Sequence, residues 1–540
     1  MQFISLLGML TLLLIAWLLS YHKKKIKFRT IIWGLALQFL FAIIILRKDY
    51  WSFVGMTILA LLFILYIFRE KTFTSHKWMD STSIILSSIV IGVVIYFILN
   101  WISYSILLIF MILAMIINSK LLKKQLLQNI LSSIFIVVLF TGLIQKGLYG
   151  QHVFKIFSDG VAQFLDLSFY GAKFLFGNLV EGKYFFPSDG SWPGFGFQFA
   201  FKVLPTIIFF GGFMSILYYL GVMQKVIITM AKFMRWTLQT SGAESLSCSA
   251  NIFVGQTEAP LLIKPFLNGM TKSELLTVMV GGFATIAGGV LAGYIAMGVS
   301  AGHLVAASVM SAPAALVIGK IIYPETEHSE TAGDVSLPEI KESQNLLDAA
   351  SNGISDGLKL AVNVGAMLIG FIALIAVVDV IFNKIDFLID GKLLGGELIK
   401  YGGSGGISPV TQEYAGYFPG SLKTLFGTIL RPLAFLMGVP WEDADEVGNL
   451  LGIKISLNEF VAYGNLGTYI QNNVIGERAQ IISTYALCGF ANFASIGIQI
   501  GGIGAVAPSR KKDLSKIALK AMLGGAIASW TTATIAGMLL

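Results

Sequence analysis

Charge is scarce in this sequence. Of 540 residues only 13% are Asp, Glu, Lys or Arg, about half of the ~25% usual in soluble domains. A soluble fold with 56% hydrophobic residues has too little polar surface to cover itself, so the solvent around this chain is largely lipid. Cysteine is nearly missing. Cys248 and Cys488 stand among small or apolar neighbours, with no spacing that makes a disulfide framework or a thiolate metal site. Five histidines are scattered and form no metal-ligand pattern. The net charge of +8 does not mark nucleic-acid binding, because lysines and arginines gather in short loops between apolar runs, as the positive-inside rule describes.

What the sequence has instead is long uncharged runs, among them residues 6–19, 31–46, 57–68 and 84–99. A helix needs roughly 20 mostly apolar residues to cross the hydrocarbon core, and these qualify with their flanks. The first run precedes its positive charges and lacks a small-residue cleavage site, so it reads as a helix and not a signal peptide. Lys23, Lys24, Lys25, Lys27 and Arg29 then place the loop after it in the cytoplasm, with the N-terminus outside.

Residues 1–50 hold the first two crossings, 2–20 and 29–47. Residues 51–150 hold four more, near 51–69, 82–99, 101–118 and 128–145. Four is even, so they leave the downstream polarity unchanged. Residues 151–240 begin with an amphipathic stretch, 153–178, where Phe154, Phe157, Val161, Phe164 and Leu165 recur at helical spacing between Lys155, Asp159 and Asp166, the pattern of an interfacial helix. A helix at 195–221 follows, with Pro205 as a kink site. Residues 241–323 contain a polar stretch and helices at 272–297 and 300–322. Residues 324–345, with Glu325, Glu327, Glu330, Asp334, Glu339 and Glu342, read as a flexible cytoplasmic acidic loop. Residues 346–440 hold a crossing at 357–382, a glycine-rich loop at 391–406 and an interfacial or shallow helix at 422–438. Residues 441–540 hold a second polar stretch and crossings near 478–500 and 516–539. The total is about twelve transmembrane helices, with the C-terminus outside.

Two polar stretches do not fit lipid. In 247–265, SCSANIFVGQTEAPLLIKP, the residues Asn251, Gln256, Thr257 and Glu258 fall close together, Gly255 permits a break and Pro260 cannot continue a helical ladder. This reads as a re-entrant hairpin of two half-helices, tolerated at membrane depth only where protein or a water-filled cavity covers it. The second, 457–470, LNEFVAYGNLGTYI, sets Asn458 and Glu459 in apolar surroundings before Gly464 and Gly467. A carboxylate in a membrane costs roughly 2.5–3.5 kcal/mol unless paired or wetted. After each glutamate, at similar distance, comes a related block in a glycine-rich apolar helix: FATIA at 283–287 in GGFATIAGGVLAG, and FANFA at 490–494 in CGFANFASIGIQIGG. A unit of hairpin plus broken helix thus occurs twice. The topology brings one hairpin in from the cytoplasm and the other from outside. Inverted repeats whose broken helices meet at the midplane mark secondary transporters. The expected fold is therefore an all-α polytopic membrane protein built on inverted repeats, each with a re-entrant hairpin and a broken helix.

The motifs GQTEAPLLIKPF (255–266), NEFVAY (458–463), CGFANFASIGIQIGG (488–502) and APSRKKDL (507–514), with VLPTIIFFGGFMSILYYLGVMQ (203–224) and NVGAMLIGFIALIA (363–376), resemble the concentrative nucleoside transporter family. The likeness covers nearly all of 150–540 and, more loosely, the first two helices. It implies a homotrimer in the bacterial inner membrane, each protomer carrying a nucleoside together with a cation, most often sodium, and no cofactor. It implies that Gln256, Thr257 and Glu258 face the nucleobase with Val290 nearby, that Glu459, Asn492 and Ser495 hold the ribose hydroxyls, and that Phe490 lines the site. A carboxylate and an amide together accept from and donate to vicinal hydroxyls. It further implies a sodium site from Asn251, the Val254 and Ile286 carbonyls and the Thr285 hydroxyl, all of them hard oxygen ligands. The resemblance departs at 50–145, whose four crossings have no counterpart in the simplest family pattern. Three other readings stay open at this point: proton coupling, a carrier for a different polar solute, and a membrane enzyme using the glutamates as acid and base. The two hairpins offer only Lys264, beyond the break, to an anionic solute, and no nucleophile–base or metal cluster accompanies the glutamates.

Overall fold

A computed structural model describes residues 1–69, 77–185, 198–331, 333, 343–400 and 408–540. It is almost wholly helical. Among the described residues the only sheet is an antiparallel pair of three-residue strands, Leu398–Lys400 and Gln412–Tyr414. Ten helices there are long and apolar enough to cross a membrane. The shorter Gln2–Leu18 and the interrupted helix Glu477–Leu487 with Phe493–Val506 bring the described segments to the twelve crossings expected. The chain is a multi-pass membrane protein.

It divides into two compact units, residues 39–157 and residues 1–38 with 158–540. In the smaller unit, Tyr50–Ile67, Lys77–Ile98, Tyr104–Ile117 and Gln125–Gln145 form the four extra crossings. They pack on a small core of Ile64, Ile95, Val137 and Val138. Only 11% of the apolar window of the second is buried, and Leu86, Val90, Val94 and Phe97 stand exposed, as side chains against lipid do.

In the larger unit, burial sorts the crossings into centre and periphery. Lys272–Ala296, Ala301–Ile322 and the last helix have 83–89% of their apolar windows buried, whereas Phe199–Tyr219 has 22% and the 346–393 helix 19%. The two peripheral helices pack on each other through glycine. A Cβ on Gly211 would come within 2.7 Å of the Gly353 carbonyl, and one on Gly357 within 2.9 Å of the Ile208 Cα, the close approach that small residues at four-residue spacing allow.

Two arginines fix the polarity of the repeats. Arg510 donates to the Met270 and Asn268 carbonyls at 2.6 and 2.9 Å, holding the exit of the first polar stretch at the start of the last helix, Lys511–Leu539. Arg478 donates to the Gly438 and Gly537 carbonyls at 2.8 and 2.5 Å, holding the approach to the second at that helix's far end. Twenty-nine helical residues rise about 44 Å at 1.5 Å each. The two polar stretches therefore open at opposite ends of the molecule, as inverted repeats require.

The structure corrects the sequence reading in five places. A helix at Val222–Leu238, unrecognised in the sequence, buries Met223, Ile227, Ala231, Met234 and Leu238; Lys225, Lys232 and Arg235 disguise it. The second polar stretch is preceded by a buried helix, Ala444–Ser456, also unrecognised. The crossing expected at 357–382 is the longer Leu346–Asp386, continued by Phe387–Leu393. The glycine-rich 391–406 segment is not all loop, since it contains the strand Leu398–Lys400; residues 401–407 lie outside the described part. Nor is the start of the acidic loop flexible. Glu325 accepts from Thr271 at 2.7 Å, Ser329 and Thr331 both donate to Glu274, and the Thr331 carbonyl takes the Gly242 amide at 2.8 Å. Buried Glu274 needs donors, and this segment supplies them. Asp334, Glu339 and Glu342 lie outside the described residues. The other boundaries hold closely: the amphipathic helix is Gly150–Asp166 followed by Ser168–Phe176, and the shallow helix is Leu422–Leu436.

Candidate substrate and ion site

The first hairpin rises as Gly242–Asn251, started by a capping box in which the Ser241 hydroxyl takes the Glu244 amide and the Glu244 carboxylate takes the Ser241 amide. Its ladder ends at Asn251. A non-helical turn carries Val254 to Glu258, and Pro260 sits in the first turn of the short return helix Ala259–Leu262, where its missing N–H costs nothing. The second hairpin is Ala444–Ser456 returning as Glu459–Gln471. Asn458 caps the return helix, its Oδ1 accepting from the Val461 amide at 3.0 Å.

Both broken helices are broken by sequence. The first runs Lys272–Ala284, becomes extended at Thr285 and restarts as Gly288–Ala296. The Gly288 amide donates to the Phe253 carbonyl at 3.0 Å, tying this break to the first hairpin's tip. The second runs Glu477–Leu487 and restarts as Phe493–Val506 under an Asn492 cap, whose Oδ1 accepts from Ser495 N at 2.8 Å. The repeated five-residue blocks fall differently. FATIA closes the first half of one helix and enters its break, whereas FANFA lies in the other helix's break and opens its second half.

These four segments converge in one hydrogen-bonded chain. The Asn492 amide donates to Glu459 Oε2 at 3.0 Å, and the Tyr294 hydroxyl to Glu459 Oε1 at 3.4 Å. The Asn492 cap positions Ser495, whose Oγ takes the Gln256 amide at 3.1 Å. The Gln499 amide donates to Gln256 Oε1 at 3.0 Å and to the Met279 carbonyl at 3.2 Å. Gln256, Glu459, Asn492, Ser495 and Gln499 are buried, so each depends on the others for its partners. The chain joins the first hairpin to the second repeat's broken helix and that helix to the second hairpin.

Of the residues singled out in the sequence, Gln256, Glu459, Asn492 and Ser495 are brought together. Thr257 packs its methyl towards Gly502, 3.0 Å from where a Cβ there would stand. Glu258 is outside the chain: its carboxylate accepts from the Gly255 amide at 2.5 Å and is exposed. Val290 is buried at 2% exposure and Phe490 is half-buried. Asn251 is buried with both amide atoms unpartnered. A Cβ on Gly281 would lie 3.3 Å from its Nδ2, and the Gly281 carbonyl takes the Thr285 hydroxyl at 2.8 Å. Asn251 and Thr285 thus both lie against the Gly281 turn of the first broken helix, and the Asn251 amide oxygen there is buried without a partner. Ile286 is buried beside them in the chain.

Sequence reasoning missed Tyr294, Gln499 and Lys454. Each is a large polar side chain in a segment otherwise of apolar or small residues, GGVLAGYIA, FASIGIQIGG and, after Asn449, LLGIKIS, and an intramembrane polar residue is a functional candidate by default. That signal was available for all three.

Comparison with known proteins agrees with this architecture. Family profiles described as Na+ dependent nucleoside transporter N-terminus, Nucleoside recognition, and Na+ dependent nucleoside transporter C-terminus match residues 7–62, 200–301 and 303–537. The chain is 38% identical over 416 residues to the nucleoside permease NupC of Helicobacter pylori, covering 76% of this chain and 91% of that one. It is 42% identical over 404 residues to sodium/nucleoside cotransporter 1 of Rattus norvegicus, covering 72% of this chain and 56% of the longer rat protein. Among solved structures it is similar to CNTnw in an inward-facing substrate-bound state, with TM-score 0.69, 31% identity, and coverage of 100% of this chain and 98% of that one.

Proposed function

The chain belongs to the concentrative nucleoside transporter family, whose members are transporters and not enzymes, and from that premise we propose that it brings nucleosides into the cell by sodium-coupled symport. The observation that carries this reading is the hydrogen-bonded chain from Gln256 through Ser495 and Asn492 to Glu459. A nucleoside replaces those internal bonds with its own. Its ribose hydroxyls donate to Glu459 and pair with Asn492 and Ser495, and its base meets Gln256 and Thr257, with Glu258, Val290 and Phe490 completing the walls. Such desolvated bonds discriminate against a sugar lacking a hydroxyl, since the protein partner is then left unpaired.

Sodium is the coupling ion of this reading because Asn251 offers a buried, unpartnered oxygen against the helix turn that also holds the Thr285 hydroxyl, with the Thr285 hydroxyl and the Val254 and Ile286 carbonyls as the remaining ligands. The break is bonded to the hairpin tip through Gly288 and Phe253. An ion there orders the tip that carries Gln256, Thr257 and Glu258, and so raises nucleoside affinity by linkage. CNTnw has been captured inward-facing and a doubly substituted variant of it outward-facing, which supports alternating access with the hairpins as re-entrant elements. The native assembly in this reading is a homotrimer in the bacterial inner membrane.

Reconstituted protein is expected to accumulate radiolabelled uridine under an inward sodium gradient and to lose that uptake when choline replaces sodium. Uptake driven equally well by a proton gradient alone would remove the sodium assignment. Glu459→Gln is expected to abolish stabilisation of the purified protein by uridine in a thermal-shift assay while leaving its unliganded melting temperature within a few degrees. Undiminished stabilisation would remove Glu459 from the ribose.

A further inference from the structure

Gln499 lies one turn beyond Ser495 on the half-helix Phe493–Val506 and is buried. Its Nε2 donates twice, to the Met279 carbonyl at 3.2 Å and to Gln256 Oε1 at 3.0 Å. A side chain of the second repeat thereby grips both the broken helix and the hairpin tip of the first. Glycine makes the room: a Cβ on Gly282 would lie 2.7 Å from Gln499 Nε2 and 3.0 Å from Gln256 Cβ.

These bonds run in one direction only. A backbone carbonyl can accept but not donate, so the Gln499 atom that meets Met279 is its nitrogen. The same nitrogen meets Gln256, whose facing atom must then be its oxygen. A half-turn of the Gln499 amide would set oxygen against oxygen at Met279, and a half-turn of the Gln256 amide would set nitrogen against nitrogen. The outward end of Gln256 is therefore a donor with two N–H bonds. One goes to Ser495 Oγ at 3.1 Å; the second is available to a ligand. Packing alone does not explain a glutamine at this position. Among the described residues the Gln499 oxygen is buried with no partner, a penalty that methionine, of similar size, avoids.

We propose that Gln499 is a positioning residue that fixes the Gln256 amide as a donor towards the nucleobase, so that the carrier selects bases offering a keto oxygen at that contact over bases offering an amino group. The inference rests on the nucleoside reading above and deepens it. Gln256 is bonded to both Ser495, which holds the ribose in that reading, and Gln499, one turn further along. The base extends from the sugar along this helix and brings its outer edge to Gln256. Uridine and cytidine are the matched pair for that edge: one carries a keto oxygen where the other carries an amino group. An amino group there meets a second donor, and in a desolvated site both are left unpaired.

The test uses the purified full-length protein in lipid nanodiscs with sodium chloride, where unlabelled uridine or cytidine displaces bound tritiated uridine. Cytidine is expected to need a concentration about tenfold above that of uridine, the discrimination of one unpaired donor. Gln499→Met, checked for folding by its melting temperature, frees the Gln256 amide to turn and accept from an amino group. Its cytidine-to-uridine ratio is expected to fall below about threefold. A glutamine that only packs the helices would change both affinities alike, so a folded Gln499→Met carrier that keeps the wild-type ratio overturns the proposal. A wild-type ratio already below about threefold overturns it as well, and that measurement decides where Gln499→Met does not fold. Folded wild-type protein that binds no uridine is a separate result, which removes the nucleoside reading itself.

Discussion

At the scale of single residues, the two donors to Glu459 are unequal. Asn492 is at 3.0 Å and belongs to the second repeat; Tyr294 is at 3.4 Å and reaches across from the first. Hydrogen bonds to a charged group are worth about 1.5–3 kcal/mol, and the shorter bond carries more of that. Asn492 also caps the half-helix that positions Ser495, so Asn492→Ala removes a ligand, a donor and a cap together. It is expected to weaken uridine binding more than tenfold. Tyr294→Phe keeps the ring stacked 4.2 Å from Tyr463 and edge-on to Phe460 at 4.9 Å, and loses only the long bond. At 3.4 Å that bond lies beyond the usual O–H···O range and does not reach the charged-group value, so a loss of threefold or less is expected, about 0.5 kcal/mol. Titration calorimetry of the two variants checks the order. The reverse order would make Tyr294, and not Asn492, the main support of the carboxylate.

At the scale of elements, the breaks place backbone where side chains do not fit. Gly489 in the second break has φ +124°, and an added Cβ would lie 2.5 Å from the Phe283 carbonyl and 2.7 Å from the Ala284 carbon. The breaks of the two repeats touch there, backbone to backbone. Gly489→Ala faces both a disfavoured dihedral, about 1–3 kcal/mol, and a rigid neighbour, so a melting temperature lower by several degrees is expected. Gly464→Ala, in the return helix of the second hairpin with nothing near its Cβ position, is the control; alanine is the better helix former by about 1 kcal/mol, and no loss is expected. These tips were the part of the molecule most legible in the sequence, because an amide or carboxylate beside glycine and proline breaks an apolar pattern visibly. The lipid-facing helices were legible for the opposite reason, since lipid tolerates only apolar side chains. What escaped notice lies between those extremes. Val222–Leu238 is amphipathic, with Lys225 on an exposed face and Met223, Ile227, Ala231 and Met234 buried, and Ala444–Ser456 is mostly buried in protein with Asp445 and Glu446 in its first turn, so in neither does an uninterrupted apolar run appear. The same holds within the site. Asn492 and Glu459 stood out beside breakers, whereas Gln499 and Lys454 lie in continuous helices and acquire their partners only from chain more than 30 residues away.

At the scale of the whole molecule, the four extra crossings pose the question of what the carrier needs. Three bacterial relatives, from Haemophilus influenzae, Bacillus subtilis and Helicobacter pylori, match 75–77% of this chain and 90–92% of their own length, and no family match falls between residues 62 and 200, so most of the block lies beyond what those relatives share. Within the smaller unit the two ends of the block lie together. The Ser52 hydroxyl donates to the Ile44 carbonyl at 3.2 Å and accepts from the Gly150 amide at 2.9 Å, and the Phe53 and Tyr149 rings stack at 4.7 Å. A block whose entry and exit meet is an insertion in the geometric sense, and its removal opens no gap to be spanned. Because it contains an even number of crossings, removal also leaves the orientation of both hairpins unchanged. None of the residues assigned to nucleoside or sodium lies within it. Excising residues 54–148, with Phe53 joined to Tyr149, is therefore expected to give a carrier whose sodium-dependent uridine uptake keeps its half-saturating uridine concentration within about twofold, the scatter ordinary for distant independent changes. Surface expression is measured alongside, so that lost insertion is not read as lost transport. A correctly inserted, folded variant with uridine affinity lowered tenfold or more would mean that the extra helices act on the site, and would make them part of the transport machinery instead of an appendage to it.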